Sequence, residues 1–166
     1  MKKMVYVAAA AVALGVGGAG YLALGQRDAA PAVNMVLLDG SKHNVADFKG
    51  KVVLVNFWAT SCTTCVKEMP HMVETYQKYK DKGLDFVAVA MSYDPPAFVS
   101  NFAESRRLPF KVAIDNTGEV AKSFGDVKLT PTTYLLNKRG EIVKRYVGEP
   151  DFAALHQLVE KLLAET

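Results

Sequence analysis

The chain contains two cysteines, Cys62 and Cys65, set in Trp58-Ala59-Thr60-Ser61-Cys62-Thr63-Thr64-Cys65. Two thiols at this spacing, placed at the start of a helix, are suited to thiol–disulfide exchange. Unpaired N–H groups and the dipole at a helix N-terminus favour the thiolate of the first cysteine. The second thiol lies about one turn on, on the same face, and can close a disulfide with little backbone movement. Lowering a thiol pKa from about 8.5 to about 7 takes roughly 2 kcal/mol of thiolate stabilisation, which a partly buried helix terminus can supply. No separate base is then required for attack. Cys62, at the exposed helix start, is the expected nucleophile, and Cys65, one turn in and shielded, the resolving thiol. A bridge across so short a loop constrains the unfolded chain weakly, which argues against a purely structural disulfide.

These thiols need a strand to deliver them and a helix to hold them. The apolar run Val52–Phe57 directly before the motif reads as a buried strand, and helical spacing runs from about Cys62 to Lys80. Pro70 lies inside that stretch and removes a backbone hydrogen bond. Met72, Val73, Tyr76 and Tyr79 keep helical spacing beyond it, which favours a kinked helix over one that stops. Leu84–Met91 reads as a second buried strand. Asp94-Pro95-Pro96 reads as a helix start with Asp94 as the cap, leading into a helix that ends near Arg107. A short strand at Lys111–Ile114 and a brief helix at Val120–Phe124 follow. Thr130-Pro131 opens a strand over Thr132–Leu136. After a turn at Lys138-Arg139-Gly140, Glu141–Val147 alternates as an edge strand does. A last helix covers Asp151–Ala164, and a small hairpin, Met35–Leu38 with His43–Val45, precedes the main pattern. The order predicts an α/β fold with a mixed sheet and helices on both faces.

Three segments divide the chain: residues 1–25 as a signal anchor, 26–33 as a linker and 34–166 as one domain. Val5–Leu24 runs without a charge or a proline after Lys2 and Lys3. As a helix it would span about 30 Å, the thickness of a bilayer core. Lysines before the span predict a single-pass transmembrane helix in a bacterial inner membrane, with the domain in the periplasm. A cleaved signal peptide, giving a soluble periplasmic domain, is the alternative, with Ala29, Ala30 and Ala32 as small residues for a peptidase. Either reading exports the domain to a compartment where disulfides persist. The net charge is +3, and without Lys2 and Lys3 the remaining 18 basic and 17 acidic residues nearly balance. No basic excess argues for nucleic acid.

Four pieces of sequence resemble the TlpA/ResA-like group of membrane-anchored thiol–disulfide oxidoreductases, within the thioredoxin superfamily. They are FWATSCTTCVKEMP, LTPTTYLLN, KRGEIVKRYVG and the extra helix and strand between Asp94 and Ile114. The resemblance implies a thioredoxin-like fold with an N-terminal hairpin and a helix–strand insertion. It implies a cis bond at Thr130-Pro131 beside the thiols, with the Thr130 backbone open to a substrate strand; an ordinary trans proline is the plain alternative. Thioredoxins proper carry a buried aspartate where this chain has Asn56, which cannot accept a proton. The TlpA/ResA-like group instead has a glutamate three residues after the second cysteine, here Glu68. Glu68 is therefore expected to relay protons to and from Cys65, against the alternative of a solvated helix carboxylate. Trp58 is expected to shield the sulfurs and form part of the docking surface, with simple core packing as the alternative. Thr63-Thr64 replaces the proline that many relatives carry between the cysteines, which bears on reduction potential.

The expected activity is extracytoplasmic reduction of partner-protein disulfides, with Cys62, Cys65 and Glu68 catalytic and Trp58, Thr130 and Pro131 docking substrate. The resemblance implies an apocytochrome c or an oxidase copper-site subunit as partner, and an integral membrane thiol protein as electron donor. No cofactor or metal is expected beyond the redox-active cysteine pair. A thiol oxidase or isomerase on the same fold is the nearest alternative, since direction depends on potential. A copper-binding metallochaperone is another, using the two cysteines and a histidine among His43, His71 and His156. A peroxidase is disfavoured, because Ala59 occupies the place of the threonine that peroxiredoxins carry three before the reactive cysteine. Met69, Met72 and Met91 read as core filling.

Overall fold

The computed structural model describes residues 27–165. The expected membrane-spanning segment at residues 5–24 lies outside them. Among the described residues, no helix is long and apolar enough to cross a membrane. The fold carries a five-stranded sheet in the order β5-β4-β3-β6-β7 and a separate two-stranded hairpin, β1 (Asn34–Val36) with β2 (Lys42–Asn44). The large sheet comprises β3 (Val52–Trp58), β4 (Leu84–Ala90), β5 (Lys111–Ile114), β6 (Thr132–Leu136) and β7 (Ile142–Val147). β3, β4 and β5 run parallel, β6 runs antiparallel to β3, and β7 runs antiparallel to β6. This is the expected mixed sheet.

Alternation along β3 sorts the core into two halves. Val52, Leu54 and Trp58 face α1 (Thr63–Tyr79), α2 (Pro96–Ser105) and α4 (Phe152–Ala164). Val53, Val55 and Phe57 face the other side, where the hairpin, the 3-10 turn at Val45–Phe48 and the short α3 (Glu119–Ser123) close the second layer. β3 and β4 are buried along their whole length, as parallel strands covered on both faces are. β7 is one of the two edge strands, with Lys144 and Arg145 exposed. Charged side chains on such an edge discourage pairing with another chain.

α1 runs through Pro70 without a break, as the spacing beyond the proline predicts. The start of α2 departs from expectation. Its cap is Pro95, without a side-chain hydrogen bond, and Asp94 lies one residue outside the helix. Two consecutive prolines set the first turn one residue later, which frees the Asp94 carboxylate for a different partner. The segment before the hairpin is also more engaged than a linker sequence suggests. Ala30 donates its N–H to Gly140 at 2.8 Å, and Asp28 accepts from Ile142 at 2.8 Å.

Candidate active site

Two loops meet at one end of the sheet because the register of β3 and β6 brings them there. Phe57 pairs with Thr132, so the loop leaving β3 after Trp58 and the loop entering β6 at Pro131 emerge side by side. The first loop turns at Ala59, whose carbonyl accepts from the Cys62 N–H at 3.1 Å. Cys62 then caps α1, and its Sγ accepts from the Cys65 N–H at 3.2 Å. This is the sulfur-to-amide contact that would stabilise a thiolate in the reduced protein. Cys62 is half-buried and Cys65 fully buried, and a disulfide joins them across a Cα–Cα distance of 5.2 Å. The more accessible sulfur is thus the one at the helix terminus.

The second loop carries Thr130-Pro131, joined by a cis peptide bond. Pro131 is buried and Thr130 half-buried. The Pro131 carbonyl accepts from the Gly148 N–H at 2.8 Å, and the Thr132 hydroxyl donates to the Leu129 carbonyl at 2.7 Å. Gly148 has φ +86°, a left-handed conformation that a side chain would strain. The turn after β7 therefore braces the proline loop through a position suited to glycine.

Glu68, three residues after Cys65 on α1, is fully buried. The solvated-carboxylate reading is thereby excluded. Its Oε1 accepts from the Asn56 Nδ2 at 3.0 Å, and the same nitrogen donates to the Thr133 Oγ1 at 2.9 Å. Glu68 Oε2, Asn56 Oδ1 and Trp58 Nε1 are buried without a hydrogen-bond partner among the described residues. Burial raises the Glu68 pKa to about 7; the Asn56 hydrogen bond opposes the shift, and the negative charge of Glu149 adds to it. A carboxyl tuned near neutrality can both take and return a proton at physiological pH. Glu149 follows Gly148 at the rim, where it faces Lys67 at 3.4 Å.

Trp58 corrects an expectation. Its relative exposure is 0%, so it offers no surface for docking. Alternation along β3 points it to the same side as Leu54, and α2 covers it, with the Phe102 ring centroid 5.1 Å away. The helix of the insertion thus turns a potentially exposed indole into core. Tyr93, Phe98 and Leu129 are instead the exposed large apolar side chains on α2 and the loops flanking this end. The Tyr93 hydroxyl reaches the Thr130 Oγ1 at 3.3 Å.

The histidines lie elsewhere. His43 stacks on Phe48, His71 sits beside Glu74 and Phe152, and His156 meets the Thr75 hydroxyl. Among the described residues, no cluster of three or more His, Cys, Asp or Glu is placed to hold a metal ion.

Three residues of the site were not legible as functional. Asn56 was notable only for lacking an aspartate's acidity, yet it is the donor that orients Glu68. A polar residue in a run of valines and aromatics was the available signal. Thr133 carries no comparable mark in the sequence. Asp94 reads as a helix cap, but it contacts the cysteine loop.

Comparison with known proteins agrees with this geometry. Residues 25–159 match the family model for Redoxin. The chain is 41% identical over 133 residues to the thiol-disulfide oxidoreductase ResA of Bacillus thuringiensis subsp. konkukian (strain 97-27), covering 80% of this chain and 76% of that protein. ResA of Halalkalibacterium halodurans is 37% identical over 134 residues, covering 80% and 73% respectively. Among solved structures, a putative thioredoxin from Neisseria meningitidis superposes with a TM-score of 0.78 at 40% identity, over 85% of this chain and 93% of that one. A putative thiol:disulfide interchange protein DsbE from Chlorobium tepidum gives 0.77 at 30% identity, over 84% and 98%. With a helix-capping cysteine pair, a cis proline loop and relatives of this kind, the chain belongs to the Redoxin family and is a ResA-like thiol–disulfide oxidoreductase of thioredoxin-like fold.

Proposed function

We propose that the protein reduces disulfides of partner proteins outside the cytoplasm. The observation that carries this reading is the buried Glu68 carboxyl, three residues after Cys65 and held near neutrality. A reductase must deprotonate its buried resolving thiol, and burial makes that the harder of the two ionisations.

The Cys62 thiolate attacks one sulfur of the partner disulfide. A mixed disulfide forms as the partner bond breaks, and one partner thiolate leaves. Cys65 then passes its proton to the Glu68 carboxylate and attacks the Cys62 sulfur. The Cys62–Cys65 bond forms, the second partner thiolate departs, and two electrons have moved from the cysteine pair to the partner. A thiol-bearing integral membrane protein restores the dithiol. The Thr130 backbone beside Pro131 pairs with the substrate strand. In this reading the N-terminal segment anchors the chain in a bacterial inner membrane, with the domain in the periplasm. The partners are apocytochrome c, through its haem-binding cysteines, or a copper-site subunit of an oxidase.

Cys62→Ser is expected to abolish reduction, and Cys65→Ser to trap the partner as a mixed disulfide that can be isolated from membranes. Unchanged turnover in either variant overturns the assignment. Glu68→Gln should slow resolution and remove the rise of its rate between about pH 6 and 8, the range over which a carboxyl near 7 ionises. A thiol oxidase is the second reading, and the potential separates the two. A value near that of thioredoxin, about −270 mV, supports the reductase; one near −120 mV supports the oxidant.

A further inference from the structure

The loop between β4 and α2 touches both active-site loops. The Met91 N–H donates to the Trp58 carbonyl at 3.0 Å, at the exit of β3. The Asp94 carboxylate accepts two hydrogen bonds from Thr60, from the backbone N–H to Oδ2 and from the hydroxyl to Oδ1, each at 2.6 Å. Thr60 is two residues before Cys62. On the other side, Tyr93 reaches Thr130 beside the cis proline. Asp94 is 3% exposed, and no cation pairs with it among the described residues. A carboxylate buried without a counter-ion carries a desolvation cost, so its two short hydrogen bonds matter. It makes no capping hydrogen bond to α2, so capping does not account for it.

We propose that Asp94 is a positioning residue for Cys62. Its carboxylate clasps both donors of Thr60, and this fixes the loop that presents the Cys62 sulfur to the Cys65 N–H and to the partner. The loop otherwise has one internal tether, the Cys62 N–H to the Ala59 carbonyl. Without the clasp, Ala59–Ser61 gains freedom and the Cys62 sulfur loses its alignment. The reduced pair then ionises less readily and meets a partner disulfide in poorer geometry. The role rests on exchange at Cys62 but not on the direction of electron flow, on the partner's identity or on Glu68.

The geometry separates positioning from charge. An asparagine at this place can accept from the Thr60 N–H through its oxygen and donate to the Thr60 hydroxyl through its amide. Both contacts survive while the charge is lost. Alanine removes both. In the full-length protein, Asp94→Ala is expected to lower kcat/KM for disulfide reduction by about tenfold, a modest misalignment effect. Iodoacetamide alkylation of reduced Cys62 at pH 6, below the expected thiol pKa of about 7, should slow by about threefold, in line with a half-unit rise in that pKa. Asp94→Asn should restore both to within about twofold. Circular dichroism and thermal melting confirm that each variant is folded at the assay temperature.

A folded Asp94→Ala protein with the wild-type alkylation rate and kcat/KM overturns the proposal. So does an Asp94→Asn protein as impaired as the alanine variant, since charge and not the clasp would then be responsible. Thr60→Val keeps the backbone N–H contact and loses the hydroxyl, so an intermediate effect is expected; an effect larger than that of Asp94→Ala also overturns it. Failure of the exchange reading would look different, because Cys62→Ser would then retain activity.

Discussion

Two carboxylates are buried against the same sheet, Glu68 at its active-site end and Asp85 at the opposite end of β4, and their acidities move in opposite directions. Burial raises both. At Asp85 the rise is overcome by hydrogen bonds from Lys111 at 2.9 and 3.0 Å and from Lys51 at 3.1 Å, and by the Phe86 N–H at 2.9 Å, so its pKa falls below the ordinary value. At Glu68 the only donor among the described residues is the Asn56 amide, one oxygen has no partner among them, and burial wins. One end of the sheet is a closed ion cluster and stays charged. The other is left incompletely satisfied, and a group in that condition can change its protonation at neutral pH. The difference lies in the partners, not in depth.

The sharpest break of this contrast is to make Asp85 resemble Glu68. Lys111→Met leaves Asp85 with the more exposed Lys51 as its cation and the Phe86 N–H as its other donor. It should cost about 3 kcal/mol at neutral pH, as removal of one partner from a buried pair does, read by urea denaturation. Because the folded Asp85 pKa is depressed, its ionic stabilisation is present above about pH 4 and is lost as the pH falls through the folded value. The deficit of the variant should therefore shrink in acid. A deficit unchanged between pH 7 and pH 3 means that packing, not charge, was removed.

Glu68 carries the opposite sign. Its folded pKa is about 7 against an ordinary value of 4.5, so the folded oxidised state binds more protons between those values. Stability then falls as the pH rises through that window, and remains lower above it. Glu68→Gln should abolish this slope and leave the variant on the order of 2 kcal/mol more stable at pH 8, with little gain at pH 4. Parallel stability curves for wild type and variant would show that Glu68 is not held protonated by burial.

Smaller changes test what tunes Glu68. The Asn56 hydrogen bond lowers its pKa, so Asn56→Ala should move the pH midpoint of the resolution step upward by up to about 1 unit. A downward shift contradicts the geometry. The Glu149 charge raises the Glu68 pKa, so Glu149→Gln should move the same midpoint downward by a few tenths of a unit at most. It should leave the acid response of Asp85 untouched.

The chemistry-bearing cysteines and their supporting elements were legible because those signals are local. A cysteine pair after an unbroken apolar run and before helical spacing can be seen within some thirty residues. The mixed direction of the sheet follows from the tight turn at Lys138-Arg139-Gly140 and from the α/β alternation before it, while the order of its strands comes from the structure. Asp94 misled because Asp-Pro-Pro is a sound helix-start pattern, and its actual partner, Thr60, is 34 residues away. Trp58 misled because the covering helix comes from the insertion, and no local pattern reports which side chain it will bury.

By itself, the sequence determined which atoms can exchange a disulfide, which thiol sits at the helix terminus, and that a mixed sheet would deliver them. Those properties depend on spacing, periodicity and turn chemistry along a short stretch of chain. Only the tertiary structure decided the environment of each group. Glu68 titrates near neutrality because α1 presses it against β3 with Asn56 as its one donor among the described residues, and Trp58 is core because α2 lies over it. Burial, and the partners that compensate for it, come from residues far apart in the chain, so they are fixed only when the layers pack.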